Sequence, residues 1–311
     1  MMFSSRRDTG LPPWNLASLP GHAVAVRLAA GPVGMRARLA RIEIVEGPEP
    51  HLARLERLAA RLGLRREAVR LLLESGSYQF VQSELPQVPL DELRTALRWR
   101  VKDMLSHPVE DVTLDVVMSP EAEVRPASAY VVAAPNALLR ERMLMLRPWN
   151  ASVDIIDVPE MAQRNLADAL EEPGRATAVL AITPAGCLLT ASQAGELFFV
   201  RHFDLSCRSL NSSPAVRRDQ FDRLVLELQR SFDVLERQQS ARAVSALWVA
   251  PFAHAAELHG LLVESLYQPV KLLTLDALFD VDDCPLPPAP DHQAAILHAL
   301  GLSLRDQEIR A

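Results

Sequence analysis

Apolar residues recur along the chain in two rhythms, and the switches between them lay out its elements. Two β-like runs, Ala23–Ala30 and Met35–Val45, flank Gly31-Pro32-Val33-Gly34, a spacer suited to a turn between antiparallel strands. A helix is expected from about Pro50 to Leu62, with Leu52, Leu55, Leu58, Ala59 and Leu62 at helical spacing and Gly63 placed to end it. Ala68–Leu73 and Tyr78–Leu85 read as strands. From Asp91 a helix carries Leu93, Leu97, Val101 and Leu105 on one face and Arg94, Arg98, Lys102 and Asp103 on the other, with Pro108 closing it. Val112–Met118 and Ser128–Ala134 are strand candidates around a polar Pro-Glu-Ala-Glu connection. They are followed by a helix over Asn136–Leu146 and a strand over Val153–Val158. Asp157-Val158-Pro159-Glu160 reads as a helix start with Asp157 at the cap, the helix running to about Leu170.

After Glu171-Glu172-Pro173-Gly174 the same kinds of element return. Thr177–Thr183, Cys187–Gln193 and Leu197–Phe203 form a meander with turns at Pro184-Ala185-Gly186 and Ala194-Gly195. A polar loop, Ser206–Pro214, precedes the strongest helical pattern in the chain, set by Phe221, Leu224, Val225, Leu228, Phe232 and Leu235. Ala243–Ala250 is a strand, Ala255–Tyr267 a helix and Val270–Leu275 a strand. A Pro-rich connector, Cys284–Pro290, leads to a last helix over Ala294–Leu304 capped by Asp291. Two α/β halves, each opening on antiparallel strands, fit a duplicated ribonuclease-H-like fold of the actin and sugar-kinase kind. The pattern alone also allows other two-layer α/β folds.

Composition narrows the function classes. The 311 residues are 49% hydrophobic and 23% charged, a globular balance with room for two domains. The net charge of −6 argues against a polyanion-binding protein, and no nucleic-acid partner is expected. Only 12 residues are Gly, about 4% against a usual share of roughly 7%, so Gly-rich phosphate cradles are scarce. Cys187, Cys207 and Cys284 form no CxxC pair, which excludes a disulfide framework or a Cys-based zinc site and points to reduced thiols. The N-terminus lacks the apolar run of a signal peptide, and no apolar stretch approaches membrane-spanning length, so a cytoplasmic protein is expected. His51, His107, His202, His254 and His259 show no metal-ligand spacing, and no GxSxG elbow occurs, so neither metal nor hydrolase chemistry is expected.

Four stretches carry a family resemblance. The first is Leu85-Pro86 and Leu90–Leu93, then Ala96-Leu97-Arg98-Trp99-Arg100-Val101-Lys102-Asp103 and His107-Pro108-Val109-Glu110-Asp111. The second runs from Asp154 to Leu166, with IDVPEMAQRNL as its core. The third is Gly195-Glu196-Leu197 with Arg201 and the helix Leu226–Gln238, and the fourth is Ala299–Arg305. Together they resemble the PilM-like actin-fold proteins of type IV pilus assembly, most of all the MshI branch of the mannose-sensitive haemagglutinin (agglutinin) pilus.

The resemblance implies a fold class: α/β, a duplicated actin-like (ribonuclease-H-like) two-domain fold with a small inserted α+β subdomain. Residues 1–20 would be a flexible tail. Residues 21–158 would form the first actin-like domain with the insert at about 78–128, and 159–311 the second, with a reduced insertion at about 206–240. It also implies a cytoplasmic scaffold, peripheral at the inner face of the bacterial inner membrane. Such a scaffold captures the N-terminal tail of a PilN-like bitopic protein and helps connect the pilus motor ATPases to the membrane. The groove for that tail would lie between the insert and the first actin-like subdomain, and Arg98, Trp99 and Lys102 are the partner-binding candidates. A solvated helix face is the alternative for this Arg-rich stretch.

Nucleotide-binding members of the family hold ATP and magnesium through Gly-containing turns entered by Asp and through a late Gly-Gly pair. This chain departs from that pattern at each place. Val26 and Arg27 stand where the first Asp would, ahead of Gly31. Ala181 stands at the second, with Thr183-Pro184 before Gly186, and Pro251-Phe252 replaces the Gly-Gly pair. Proline has no N–H to offer a phosphate. The expectation is therefore no catalytic residue, no metal and no required cofactor, with weak ATP binding left open. Two alternatives stand beside it. One is a working ATPase in which Arg27 neutralises phosphate in place of magnesium. The other is a type II secretion platform component, disfavoured because no transmembrane helix follows.

Overall fold

The computed structural model describes residues 11–30, 36–118, 128–238 and 242–305. The chain begins with β1 (Trp14–Leu19), β2 (His22–Leu28) and β3 (Ala37–Glu46), then α1 (His51–Leu62) and β4 (Ala68–Leu72). Next come β5 (Gln79–Glu84), α2 (Leu90–Val101), β6 (Val112–Met118) and β7 (Ser128–Pro135). They are followed by α3 (Asn136–Leu146), β8 (Ser152–Asp157) and α4 (Pro159–Asp168). The remainder is β9 (Ala176–Thr183), β10 (Gly186–Gln193), β11 (Glu196–Phe203), α5 (Cys207–Leu210), α6 (Pro214–Gln238) and β12 (Val244–Val249). It ends with α7 (Ala255–Ser265), β13 (Val270–Leu272), α8 (Leu275–Leu278), β14 (Phe279–Asp280) and α9 (Pro290–Ser303).

Among the described residues the strands form three sheets. One has the order β14-β3-β2-β1-β4-β8, a second β11-β10-β9-β12-β13, and a third β5-β7-β6. In each of the two larger sheets an antiparallel three-strand meander is extended by two parallel strands beside its first strand. The duplication expected from the sequence is therefore present in the strand order itself. The third sheet carries α2 on one face, where Leu93, Leu97 and Val101 bury against Val112, Leu114, Val131 and Ala133.

Several expectations are corrected. The stretch 1–20, expected as a flexible tail, contains β1. All six residues of β1 are buried because β2 and β4 flank it and both sheet faces are covered. Pro20-Gly21 makes the turn to β2, with Gly21 at φ +82°, a conformation that glycine adopts without strain. The α2 helix stops at Val101, and a single tighter turn over Lys102–Met104 leads out of it, so Pro108 does not close it and Leu105 lies outside. The polar loop Ser206–Pro214 holds α5, capped reciprocally by Ser206 and Ser209. Asp157 and Asp291 are not the caps of their helices: Val158 and Ala289 are, each followed by Pro at the first helical position. The spacers Gly31–Gly34 and Pro120–Glu123 lie outside the described residues.

The halves meet at a crossing of α4 and α9. A Cβ built on Gly301 would lie 2.1 Å from the Ala162 carbonyl oxygen, so only a glycine permits this approach. Asn165 Nδ2 donates to Gly301 O at 2.9 Å across the same crossing. The α9 helix also packs on β1, β2 and β9, and β14 joins the edge of the first sheet beside β3, so the end of the chain returns to its beginning.

Candidate functional site

The IDVPEMAQRNL stretch turns out to be the joint of the molecule. Glu160 is 0% exposed, and a carboxylate without solvent needs donors. Tyr78 Oη donates to its Oε2 at 2.6 Å, and His202 Nε2 stands 3.0 Å from its Oε1. Tyr78 leads into the small sheet and His202 sits on β11, so one carboxylate ties the insert, α4 and the second half together. Burial first, then the charge and hydrogen bond of Glu160, then Asp157, hold the Tyr78 phenol well above its ordinary pKa, which keeps it a donor. Tyr130 adds a second tie, donating to Phe198 O of β11 at 3.0 Å.

One turn further along α4, Gln163 Nε2 donates to Val179 O at 2.8 Å, Leu188 O at 3.2 Å and Thr190 Oγ1 at 3.0 Å. Its Oε1 is therefore the atom that faces His298 Nε2 at 3.1 Å, which places the imidazole proton on Nε2. Burial, with His202 nearby, pushes the His298 pKa down to about 4, so the ring is neutral at pH 7. Asp157 accepts from Val158 N at 2.9 Å and pairs with Arg305. Arg164 donates to Gly195 O at 2.8 Å, and Arg201 pairs with Glu227 of α6 at 2.6 Å.

Beside this network lies a cavity of about 250 Å³ between the halves. Ser75, Gly76, Thr183, Gly186, His202 and His298 supply its polar lining, and Pro159, Cys187 and Leu188 its apolar part. That volume is below the roughly 300–1,000 Å³ usual for small-molecule sites. Thr183 Oγ1 accepts from Ala185 N at 3.2 Å, so the hydroxyl is engaged within its own turn.

The phosphate-turn candidates are placed differently than the sequence suggested. Because the halves share one strand order, the counterpart of the Thr183–Gly186 turn is Pro20-Gly21, and the counterpart of Ala181 is Ala17. Both alanines are buried in the same central core. Val26 belongs to that core too, whereas Arg27 alternates to the opposite sheet face. There it donates to Pro12 O at 2.8 Å, pairs with Glu67 at 2.9 Å and lies over the Trp14 ring at 5.1 Å. Its charge is therefore already matched away from the cleft. Gly31 lies outside the described residues. Gly186 opens β10 at the cavity wall, and Pro251 follows Ala250 beyond the end of β12, apart from the cavity lining.

Arg98, Trp99 and Lys102 lie elsewhere, on the insert. Trp99 is 58% exposed and Lys102 is exposed one turn on; Met104, two residues later in the chain, is 50% exposed. Arg98 is partly buried and donates to Val109 O, so it braces the connection from α2 to β6 rather than standing free. The structure thus brings Trp99 and Lys102 onto one exposed face and gives Arg98 a structural contact.

No family model and no curated protein matches the chain. Solved structures do. The chain is similar to a PilM–PilN type IV pilus biogenesis complex at TM-score 0.74 and 21% identity, covering 96% of this chain and 99% of that one. It is similar to the cytoplasmic domain of EpsL, an inner-membrane component of the Vibrio cholerae type II secretion system. That match has TM-score 0.50 and 15% identity, over 93% of each chain. A Bacteroides thetaiotaomicron protein of unknown function with an actin-like ATPase fold matches at TM-score 0.51 and 9% identity, over 90% and 97%. The fold is the duplicated actin-like α/β fold. Among the described residues no helix is long and apolar enough to cross a membrane.

Proposed function

We propose that this chain is a non-catalytic, actin-like scaffold of type IV pilus assembly, of the MshI kind, that captures the N-terminal tail of a PilN-like inner-membrane protein. In this reading it is cytoplasmic, is held at the membrane through that partner, and helps link the motor ATPases to it. The observation that carries the reading is the end-to-end similarity to the PilM–PilN complex, which extends over the insert as well as both halves. The exposed Trp99–Lys102 face of the insert supports it, since an aromatic anchor beside a cation suits an extended acidic or amphipathic tail. Ala17 and Ala181 in the strands before the duplicated turns, and Pro20 and Pro184 within them, support ATP-independent capture, because neither alanine supplies a magnesium ligand and neither proline an N–H donor.

The test is calorimetric titration of nucleotide-free protein with a synthetic N-terminal peptide of the PilN-like protein encoded in the same genome. Saturable binding is expected, with a loss of tenfold or more in Trp99→Ala. Millimolar Mg-ATP should leave both the affinity and the melting temperature unchanged. Absence of peptide binding overturns the proposal, and a clear Mg-ATP shift overturns its ATP-independent part. The EpsL similarity favours a second reading, a type II secretion platform component, which binding only to a tail from that system would support.

A further inference from the structure

A cluster far from the cleft joins residues that the sequence keeps 270 positions apart. His22 and Glu46 are cross-strand partners at the open end of the β2–β3 pair, and both point to the sheet face covered by α9. His292 lies in the first turn of α9 directly over them. His22 Nε2 is 3.3 Å from Glu46 Oε1, and His292 Nε2 is 2.5 Å from the same oxygen. The three donor atoms all lie within 4.8 Å of one another.

The proton count at this cluster is informative. His22 Nδ1 faces Pro20 O at 3.2 Å, and a carbonyl oxygen only accepts, so Nδ1 carries the hydrogen. In the neutral ring this leaves the Nε2 lone pair free for an ion, 3.3 Å from Glu46 Oε1. A backbone-anchored Nδ1–H is the support that metal-ligating histidines ordinarily have. An ion with donors at about 2.0–2.1 Å in tetrahedral array separates those donors by about 3.3–3.4 Å, the His22–Glu46 spacing already present. His292 Nε2, partly exposed on the helix end and 2.5 Å from the shared oxygen, has to swing back by about 1 Å to match that spacing, and the two imidazole donors stand within 4.8 Å of each other.

We infer that His22, Glu46 and His292 form a binding site for a borderline divalent transition-metal ion, zinc in the first instance, with water completing the coordination. Two imidazoles and one carboxylate select such ions over magnesium or calcium, which prefer all-oxygen sets. The ion clamps the first turn of α9 to the β2–β3 pair and so steadies the helix that packs on both halves. This inference does not depend on the pilus reading.

The experiment is zinc titration of the full, untagged, chelator-treated chain by calorimetry and thermal melting, with the Cys284→Ser variant as a thiol control. One equivalent is expected to bind and to raise the melting temperature, in Cys284→Ser as in the parent. His22→Ala and His292→Gln should each weaken binding tenfold or more, while magnesium gives no saturation. His292→Gln, on an exposed helix end, keeps the fold testable by far-UV circular dichroism if His22→Ala does not fold. Zinc binding that is absent, that survives both histidine variants, or that disappears in Cys284→Ser overturns the inference.

Discussion

At the scale of single residues, the buried polar network makes the sharpest demands. Tyr78→Phe leaves one oxygen of a fully buried carboxylate without its donor, which costs about 1–3 kcal/mol. Tyr130→Phe removes a bond to a neutral carbonyl and should cost less. Urea unfolding of both variants checks the order, and an equal loss would contradict it. His298 gives a pH dependence. In the unfolded chain its proton binds near pH 6.5, and in the fold only near pH 4, so between these values the unfolded state holds more protons. Stability is therefore full above about pH 6.5 and falls as the pH drops, by about 3 kcal/mol in all down to pH 4. The corresponding slope between pH 6.5 and 5 should flatten in His298→Gln; an unchanged slope would assign it to other groups. Neither partner was legible beforehand. Glu160 and Gln163 sat within a recognised stretch, but their partners at 78, 202 and 298 are set by the tertiary fold, and no local pattern encodes such distances.

At the scale of elements, what the sequence revealed followed from periodicity. α1, α3 and the strands of the second meander stand close to where alternation and helical spacing put them. The misses have physical causes. β1 is buried on both faces, so it shows no alternation, and only the Pro20-Gly21 turn between two apolar runs could have exposed it. With β2 taken as the first strand, the first phosphate turn falls one hairpin too far along the chain and Arg27 falls in a cleft that it does not face. The α4–α9 crossing was equally hidden, although Gly301 lay in a stretch singled out for its resemblance. Gly301→Ala should cost about 1–3 kcal/mol, since the added methyl meets backbone atoms that cannot rotate aside. Gly260→Ala in α7 is the matched control. A Cβ there meets nothing within 4 Å, and replacing an unstrained helical glycine stabilises by about 0.4–1 kcal/mol. Thermal melting of the pair should show opposite signs, and a destabilised Gly260→Ala would contradict the account.

At the scale of the whole molecule, the duplicated strand order suggests two separable halves, yet the packing argues otherwise. The face of the first sheet formed by Val24, Val26, Leu28 and Leu39 is covered by Ile296, Leu300 and their neighbours from α9, more than 250 residues away. β14 closes the edge of the same sheet from the far end of the sequence. A fragment of residues 1–158 would thus present a broad apolar face to water, and exposing even a few such side chains forfeits about 1.5–3 kcal/mol each. Such a fragment is expected to be unfolded or aggregated when expressed alone, and the full chain to unfold in one cooperative transition with coincident fluorescence and circular-dichroism curves. Co-expression of 1–158 with the rest of the chain should recover a soluble complex, because α9 and β14 are then supplied in trans. A well-dispersed amide spectrum from the isolated fragment would show that the halves are independent. The joint built from Glu160, Gln163 and Gly301 would then be a contact between finished domains and not part of a common core.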